Sequence, residues 1–317
     1  MRILFITANR LGDAVLSTGV LAWLAEQHPE AEITIACGPY AAGLFRAVPG
    51  LRQLIVLHKK SFSRHWIGLW HACVGTRWDL IVDMRNSLAS RLLRTRRLAC
   101  RGRNTGKHKV IENGDVLGIS PPPAPRIWLD TEAEASATRI IGNGGAFLAL
   151  GPAANWPCKQ WPVERFAELA LRLTKDGGFL AGASVLVVAD ERERAQLEPL
   201  LRAIPDDRRI ELIGQDLLTV AACLKQASLF VGNDSGLMHL AAAVGSPTLG
   251  LFGPGYEEIY GPWGENCAFV RTSESREELL SRLPSLSARE PNLMMGLAVD
   301  RVYEAACNLL LKIKPAV

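Results

Sequence analysis

The sequence predicts an α/β protein that consists of two doubly wound domains. The chain has 317 residues, which allows about two domains of roughly 150 residues each. Short apolar runs alternate with helical patterns along the chain, an order typical of βαβ units and parallel sheets. At residues 229–252 an apolar run, a turn, a helical pattern and a second apolar run follow one another directly. This stretch is the clearest βαβ unit in the sequence.

The first domain is predicted at residues 1–130. It begins with an apolar strand at 2–7, followed by a helix at 14–28 that Pro29 ends. The pattern then continues with strands at 33–37, 54–57 and 80–82 and helical segments at 41–47 and 63–74. A proline-rich connector at 121–125 leads the chain out of this domain.

The second domain is predicted at residues 147–296, after a linker at 131–146 that contains a linking helix. Its predicted elements are strands at 147–150, 184–189, 210–213, 229–231 and 248–252 and helices at 163–175, 191–203 and 237–244. Residues 284–296 have the composition of a loop. Residues 297–313 form a last amphipathic helix.

The composition indicates an ordinary globular protein. Hydrophobic residues make up 48% of the chain and charged residues 21%. No apolar run approaches the ~20 residues of a membrane helix, and the N-terminus lacks the layout of a signal peptide. The seven cysteines have no paired spacing, which argues against a disulfide framework and a zinc site. We therefore expect a cytoplasmic protein without a bound metal.

The charge is distributed unevenly. Residues 1–130 contain 18 Lys and Arg against 9 Asp and Glu, whereas the remainder contains 18 against 23. Residues 85–109 contain nine cations and no acid, and residues 59–70 mix cations with aromatic side chains. This pattern fits either a solvated surface or an element that contacts an anionic membrane. Nucleic acid is a competing partner, but no recognised binding motif accompanies the charge.

Asp234, Ser235 and Gly236 stand where the predicted strand at 229–231 turns into a helix. The first backbone N–H groups of a helix have no intrahelical partner, and together with the helix dipole they favour a phosphate group. Asp234 or Ser235 could equally serve only as an N-cap. His239 follows one turn later, where a hydrogen-bonded core histidine is more common than a ligand.

Asp13 and Lys159 are the other candidates for chemistry. The loop after the first strand lacks the G-x-G-x-x-G spacing, which argues against a nicotinamide enzyme. Asp13 at the following helix start is either an N-cap or a general base for an attacking hydroxyl. Lys159 lies between two Trp-Pro pairs in a loop after a strand, where α/β sheets hold ligands. Its neighbour Trp161 is expected to pack rather than to stack on a ligand.

Three segments resemble the motifs of the ADP-heptose:lipopolysaccharide heptosyltransferase family, glycosyltransferase family 9. They are GNDSGLMHLAAAVGSPTLGLFGP at 232–254, RLGDAVLSTGVL at 10–21 and KQWP at 159–162. Gly19 stands where the family motif usually has proline. The resemblance implies the GT-B fold, with two facing Rossmann-like domains and a final helix (297–317) that packs back on the N-terminal domain. It also implies inverting transfer of a heptose, or a similar sugar, from an ADP-sugar to the lipopolysaccharide inner core.

The resemblance implies a role for each matching residue. Asp13 would be the base, and Lys159 would stabilise charge on the departing nucleotide. The donor-binding candidates are Asp234, Ser235, Gly236, Leu237, His239, Glu191 and Gln215, with Glu193 as the alternative to Glu191 at the ribose. The acceptor-binding candidates are Lys59, Lys60 and Arg64. The expected ligands are an ADP-sugar donor and an anionic lipid-linked acceptor, with no further cofactor and with peripheral contact at the inner membrane.

Three alternatives remain at this stage. The chain could be a GT-B transferase for another nucleotide-sugar, a sugar-nucleotide epimerase, or a nucleotide-binding module without turnover. An epimerase needs no basic lipid-facing surface, and the presence of both Asp13 and Lys159 argues against a module without turnover. Selective binding of ADP or of UDP would separate the remaining possibilities.

Overall fold

The computed structural model describes residues 1–59, 61–142, 145–285 and 289–313. The chain divides into two compact units, Met1–Asp130 and Thr131–Val317. The strands of unit 1 are β1 (Arg2–Ile6), β2 (Glu32–Cys37), β3 (Leu51–Val56), β4 (Trp78–Asp83) and β5 (Thr95–Cys100). Its helices are α1 (Leu11–Gln27), α2 (His65–Cys73), α3 (Leu88–Arg91) and α4 (Lys109–Asp115), with 3₁₀ turns at Pro39–Phe45 and Ser61–Ser63.

The sheet of unit 1 is parallel and has the order β3-β2-β1-β4-β5. Strands β1 to β3 follow one another towards one edge of the sheet, and β4 and β5 lie on the other side of β1. The strand order therefore reverses between β1 and β4. In open parallel sheets, ligands bind outside the carboxyl ends of the strands at such a reversal.

Gly19 lies in the interior of α1, where the proline-rich connector crosses the helix. A Cβ atom at Gly19 would overlap the carbonyl oxygen of Pro123 and would lie 2.8 Å from that of Ala124. The backbone N–H of Arg126 donates to the Thr18 hydroxyl at 3.0 Å. The absence of a side chain at Gly19 thus lets the connector pack directly on α1.

The sequence prediction missed three elements of unit 1, which are β5, α4 and the four-residue helix α3. β5 lies at the sheet edge and exposes Arg96 and Arg97, so it lacks the apolar run that identifies a buried strand. α4 contains Asn113 and Gly114, which are poor helix formers. The segment predicted as a helix at 41–47 is the 3₁₀ helix Pro39–Phe45.

Unit 2 contains a second parallel sheet with the order β11-β10-β9-β6-β7-β8. Its strands are β6 (Phe147–Gly151), β7 (Ser184–Ala189), β8 (Arg209–Ile213), β9 (Leu229–Asn233), β10 (Thr248–Phe252) and β11 (Cys267–Arg271). Its helices are α5 (Thr131–Ile141), α6 (Val163–Thr174), α7 (Arg194–Ala203), α8 (Leu217–Leu224), α9 (Gly236–Ala243), α10 (Glu257–Tyr260), α11 (Arg276–Ser281) and α12 (Val299–Ile313). Short 3₁₀ turns occur at Pro157–Lys159, Glu191–Glu193 and Asp206–Arg208.

The strand order of unit 2 reverses between β6 and β9, which places the loops after these two strands next to each other. α5, predicted as a linking helix, packs against α8. α12 packs against α6 and strands β9–β11, and its buried face belongs to the core of unit 2. Its predicted contact with the first domain stays a prediction. Among the residues described, none of the helices is both long and apolar enough to cross a bilayer.

Candidate functional site

The loops after β6 and β9 are joined by one buried side chain, Asn233. It is fully buried at the end of β9, and its amide nitrogen donates to the carbonyl oxygen of Pro152 at 2.7 Å. Its amide oxygen accepts the backbone N–H of Trp161 at 3.0 Å. Asn233 therefore fixes the turn that carries Lys159 against the carboxyl end of β9.

Lys159 and Asp234 meet at this edge although 75 residues separate them in sequence. The Lys159 ammonium donates to Oδ2 of Asp234, and the two side chains are 26% and 10% exposed. A Cβ atom at Gly255 would overlap the Asp234 carboxylate, so the loop after β10 also closes on this pair. The partly exposed lysine remains accessible to a ligand, whereas the carboxylate is almost enclosed.

The N-terminus of α9 has no side-chain cap. Ser235 occupies the N-cap position with an extended backbone, and it makes no side-chain hydrogen bond to the first turn. Its hydroxyl oxygen is buried and has no hydrogen-bond partner in the described part of the chain. Ser235 therefore stands at the N-cap position without capping the helix through its side chain, and Asp234 precedes that position. The first amides of α9, at Gly236 and Leu237, are available to a phosphate group.

Glu191 and Gln215 follow β7 and β8 at the same edge of the sheet. The Glu191 carboxylate pairs with Arg194 at 2.8 Å and lies against Gly214, the residue before Gln215. Glu193 instead accepts the backbone N–H of Asp190 in a capping box. Burial raises the pKa of Glu193. The Glu193 carboxylate is occupied by this capping hydrogen bond. Glu191 is therefore the better placed of the two for a ribose hydroxyl.

Trp161 and His239 lie in the interior. Trp161 is fully buried, donates its indole N–H to the carbonyl oxygen of Leu297 at 2.8 Å, and meets the Phe166 ring edge-on at 4.9 Å. The prediction that Trp161 packs is confirmed. His239 is 4% exposed and belongs to the buried side of α9, in its first turn.

Asp13 lies in a cavity of about 730 Å³ in unit 1. It is the third residue of α1, after Arg10 at the N-cap, and it makes no capping hydrogen bond. The interpretation of Asp13 as an N-cap is therefore wrong. The half-buried carboxylate lies beside the β1–β4 reversal, where a substrate hydroxyl can reach it.

Cations dominate the rest of this lining. Arg10, Lys59, Arg85, Arg101 and Lys109 contribute positive charge to the cavity, against the single carboxylate of Asp13. Lys59, Arg85 and Arg101 follow the carboxyl ends of β3, β4 and β5. The arrangement suits a ligand that carries negative charge beside a nucleophilic hydroxyl.

A buried carboxylate holds two of these cations in place. Glu112 on α4 is 6% exposed and accepts from the Lys109 ammonium and, at 2.7 Å, from the backbone N–H of Thr105. Arg101 lies 3.7 Å from the same carboxylate. Burial alone would raise the pKa of Glu112, but the hydrogen bonds from Lys109 and Thr105 outweigh it and lower the pKa. Glu112 thus positions Lys109 and Arg101 without entering the lining.

Arg85 is fixed by its neighbours after β4. Its guanidinium donates to the Asn9 side chain at 3.0 Å and stacks 4.7 Å from the centre of the Trp66 ring. Its backbone N–H donates at 2.8 Å to Asp83, which is fully buried. Burial lowers the pKa of Arg85, and the Asp83 charge partly opposes that shift.

Of the predicted acceptor-binding residues, Lys59 lines the unit 1 cavity and Arg64 does not. Arg64 is an exposed residue at the start of α2, and Lys60 lies outside the described residues. Sequence reasoning missed His65 and Asn113 as lining residues. Arg85, Arg101 and Lys109 were noted only as part of the basic run at 85–109, although the positions of Arg85 and Arg101 after strands were the signal that could have identified them.

No group of three or more His, Cys, Asp or Glu side chains within the described ranges is arranged to hold a metal ion. The candidate chemistry therefore rests on Asp13 in unit 1 and on Lys159, Ser235 and the α9 amides in unit 2. Two Rossmann-like units, each with its polar groups at a strand-order reversal, are the architecture expected for the GT-B fold.

Comparisons with known proteins identify the family. Residues 108–286 match the model of glycosyltransferase family 9 (heptosyltransferase). The chain is 23% identical to lipooligosaccharide heptosyltransferase 2 of Haemophilus influenzae, with 86% of this chain and 89% of that protein covered. The protein belongs to glycosyltransferase family 9 and is a glycosyltransferase.

Solved structures support the fold. The family 9 glycosyltransferase of Veillonella parvula superposes with a TM-score of 0.81 at 21% identity, covering 98% of this chain and 97% of that one. The ADP-heptose lipopolysaccharide heptosyltransferase II of Escherichia coli superposes with a TM-score of 0.75 at 20% identity, covering 99% and 100%. The predicted GT-B fold class is confirmed.

Proposed function

We propose that this glycosyltransferase transfers a heptose from ADP-heptose to a sugar of the lipopolysaccharide inner core, with inversion at the anomeric carbon. The observation that carries the proposal is Lys159, held beside the uncapped N-terminus of α9. The family 9 enzyme of Escherichia coli named above is described as an ADP-heptose enzyme, which supports the same donor here.

The chemistry assigns one task to each unit. Asp13 takes the proton of the acceptor hydroxyl, whose oxygen attacks the anomeric carbon opposite the leaving group. The bond from that carbon to the β-phosphate oxygen breaks, and ADP departs. The Lys159 ammonium and the α9 amides stabilise the charge that develops on the diphosphate. No metal ion or further cofactor takes part, so a chelator should leave turnover unchanged.

Ligand-dependent stability tests the donor assignment. A ligand that binds only the folded protein raises its stability by about 2.7 kcal/mol at a hundredfold excess over Kd. ADP should raise the melting temperature more than UDP or GDP. Lys159→Met should reduce the shift with all three nucleotides, because Lys159 is assigned to the diphosphate that they share. Selective protection by UDP would instead indicate another nucleotide-sugar donor.

Asp13→Asn tests the catalytic base. The variant should fold and bind ADP normally, because Asp13 makes no capping hydrogen bond. Its turnover should fall by at least about 100-fold, since the amide cannot accept the proton. Turnover close to that of the wild type would remove Asp13 from this role.

We further propose that unit 1 contacts the cytoplasmic face of an anionic membrane through an α2–α3 surface, defined as Ile67, Leu88, Leu92, Arg91 and Arg94. α2 and α3 bury residues in one core cluster, so they cover the same face of the sheet. The indole N–H of Trp70 on α2 donates to the Leu92 carbonyl oxygen at 3.3 Å, which joins the two helices.

The exposed side of this surface combines aliphatic and basic groups. Ile67, Leu88 and Leu92 are 57%, 69% and 62% exposed, and Arg91 and Arg94 are also exposed. Near an anionic leaflet each such cation contributes ~1 kcal/mol of attraction, and the aliphatic side chains add the free energy of their burial.

Vesicle flotation tests the membrane contact. The protein should float with phosphatidylglycerol vesicles and much less with phosphatidylcholine vesicles, and high salt should weaken the binding. Leu88→Ser with Leu92→Ser should abolish flotation. The matched control is Leu171→Ser, a 44% exposed leucine on α6 of unit 2, which should float normally. Flotation of the Leu88→Ser, Leu92→Ser protein equal to that of the wild type would contradict the proposal.

A further inference from the structure

His65 is a buried polar side chain that the folded protein leaves without a partner. It is the first residue of α2 and is 9% exposed. Neither of its ring nitrogens has a hydrogen-bond partner among the residues described. Buried polar atoms are nearly always paired, and an orphaned one costs about 1–3 kcal/mol. Two such atoms on one ring require an explanation.

The position of the ring provides one, because His65 lines the unit 1 cavity together with Asp13, Lys59 and Arg85. The ring contacts Trp66 at a centroid distance of 4.9 Å, and Arg85 stacks on the same Trp66. These contacts hold the imidazole in place but satisfy neither nitrogen. None of the described residues supplies the missing partner, and the cavity is the side from which a ligand can reach the ring.

We propose that His65 binds the acceptor directly, by a hydrogen bond to an acidic group, carboxylate or phosphate, that lies next to the accepting hydroxyl. The proposal rests on the function proposed above, and it adds a contact that the basic run did not predict. Five cations and one carboxylate in the lining favour an anionic ligand. An imidazole N–H can then donate to the anion from a fixed position beside these cations.

The charges around His65 make this contact sensitive to protonation. Burial, Arg85 after β4 and Lys59 after β3 all lower the pKa of His65, which favours the neutral ring when no ligand is bound. Asp13 on α1 is the acidic group of the same lining. A bound anion offsets the field of Arg85 and Lys59 and stabilises the imidazolium. Binding of the acidic group should therefore raise the pKa of His65 and take up a proton.

The direct test follows the imidazole of the full-length protein by NMR, with inorganic phosphate as the first probe and acetate as the second. The His65→Gln spectrum assigns the resonance. Either probe should raise the pKa of His65, whereas His71, an exposed residue of the same helix, should titrate unchanged. This measurement needs no glycosyl transfer. A His65 pKa that stays the same at saturating concentrations of both probes overturns the proposal.

Kinetics provide the second test. His65→Asn and His65→Phe should each raise the KM for the lipid-linked acceptor about tenfold, with kcat and the KM for the donor changed less than twofold. His71→Gln is the matched control and should behave as the wild type. An unchanged acceptor KM in both His65 variants overturns the proposal. A probe-induced pKa shift in a protein that transfers no heptose would instead refute the proposed function and leave the His65 site standing.

Discussion

Replacing Asn233 by alanine should damage both the stability and the activity of the protein. The side chain is fully buried and makes two hydrogen bonds, to the Pro152 carbonyl oxygen and from the Trp161 N–H. Its removal leaves two buried backbone groups without partners, at about 1–3 kcal/mol each. We therefore expect a loss of about 2–6 kcal/mol in the free energy of unfolding. The turn that carries Lys159 also loses its anchor, so kcat/KM should fall at least about tenfold.

The stability change is measured from the urea midpoint at unchanged slope, and the activity from initial rates with ADP-heptose. The matched control is Asn292→Ala. This exposed amide donates at 2.8 Å to the carbonyl oxygen of Gln160 in the same turn. Its amide oxygen also accepts the backbone N–H of Met294 at 2.7 Å. Because the first bond is exposed and the second is only partly buried, the control should lose about 1–2 kcal/mol, less than Asn233→Ala. An Asn233→Ala protein with the urea midpoint and kcat/KM of the wild type would refute the reasoning.

Three further variants test single contacts. Gly19→Ala should destabilise unit 1 by about 1–3 kcal/mol, because the new Cβ overlaps the Pro123 carbonyl; Gly68→Ala, in open space on α2, should be neutral or stabilising by up to about 1 kcal/mol. Glu112→Gln should cost about 3–5 kcal/mol at pH 7, because it removes the carboxylate charge that pairs with the buried Lys109 ammonium. The pKa of Glu112 is lowered in the folded protein, so its charge stabilises the wild type at pH values above the unfolded pKa of about 4.3. The difference in the free energy of unfolding between the wild type and Glu112→Gln should therefore shrink as acid protonates Glu112. A difference that does not change with pH would contradict this explanation. Gly255→Ala should push the Asp234 carboxylate aside and raise the donor KM at unchanged acceptor KM, which initial-rate kinetics can check.

Local sequence signals predicted the parts of the fold and of the site that depend on strand ends. Asp13 follows β1 and Lys159 follows β6, and the alternation of apolar runs and turns was sufficient to place both. The two sheets followed from the same alternation. β5 could not be found in this way, because an edge strand needs no continuous apolar run and this one contains Arg96 and Arg97.

Contacts between distant residues could not be predicted. Sequence spacing contains no information on the pairing of Lys159 with Asp234, or on the two hydrogen bonds of Asn233. The orphaned nitrogens of His65 depend on how Trp66 and Arg85 pack around the ring, which only three-dimensional structure reveals. The absence of a capping hydrogen bond from Asp13 and Ser235 likewise depends on side-chain direction, and their functional roles stay predictions.

The outer strands of the two sheets have a feature in common that bears on aggregation. Unpaired strand edges can recruit strands from other molecules, and charged side chains on an edge oppose this because each would need to be desolvated. Every edge strand contains arginine, whereas of the interior strands only β1 does, at its first residue, Arg2. The edge arginines are Arg52 in β3, Arg96 and Arg97 in β5, Arg209 in β8 and Arg271 in β11. The arginines of β3 and β5, which add to the positive charge of unit 1, thus also oppose self-association of its sheet, and Arg97→Val would weaken that protection at the β5 edge.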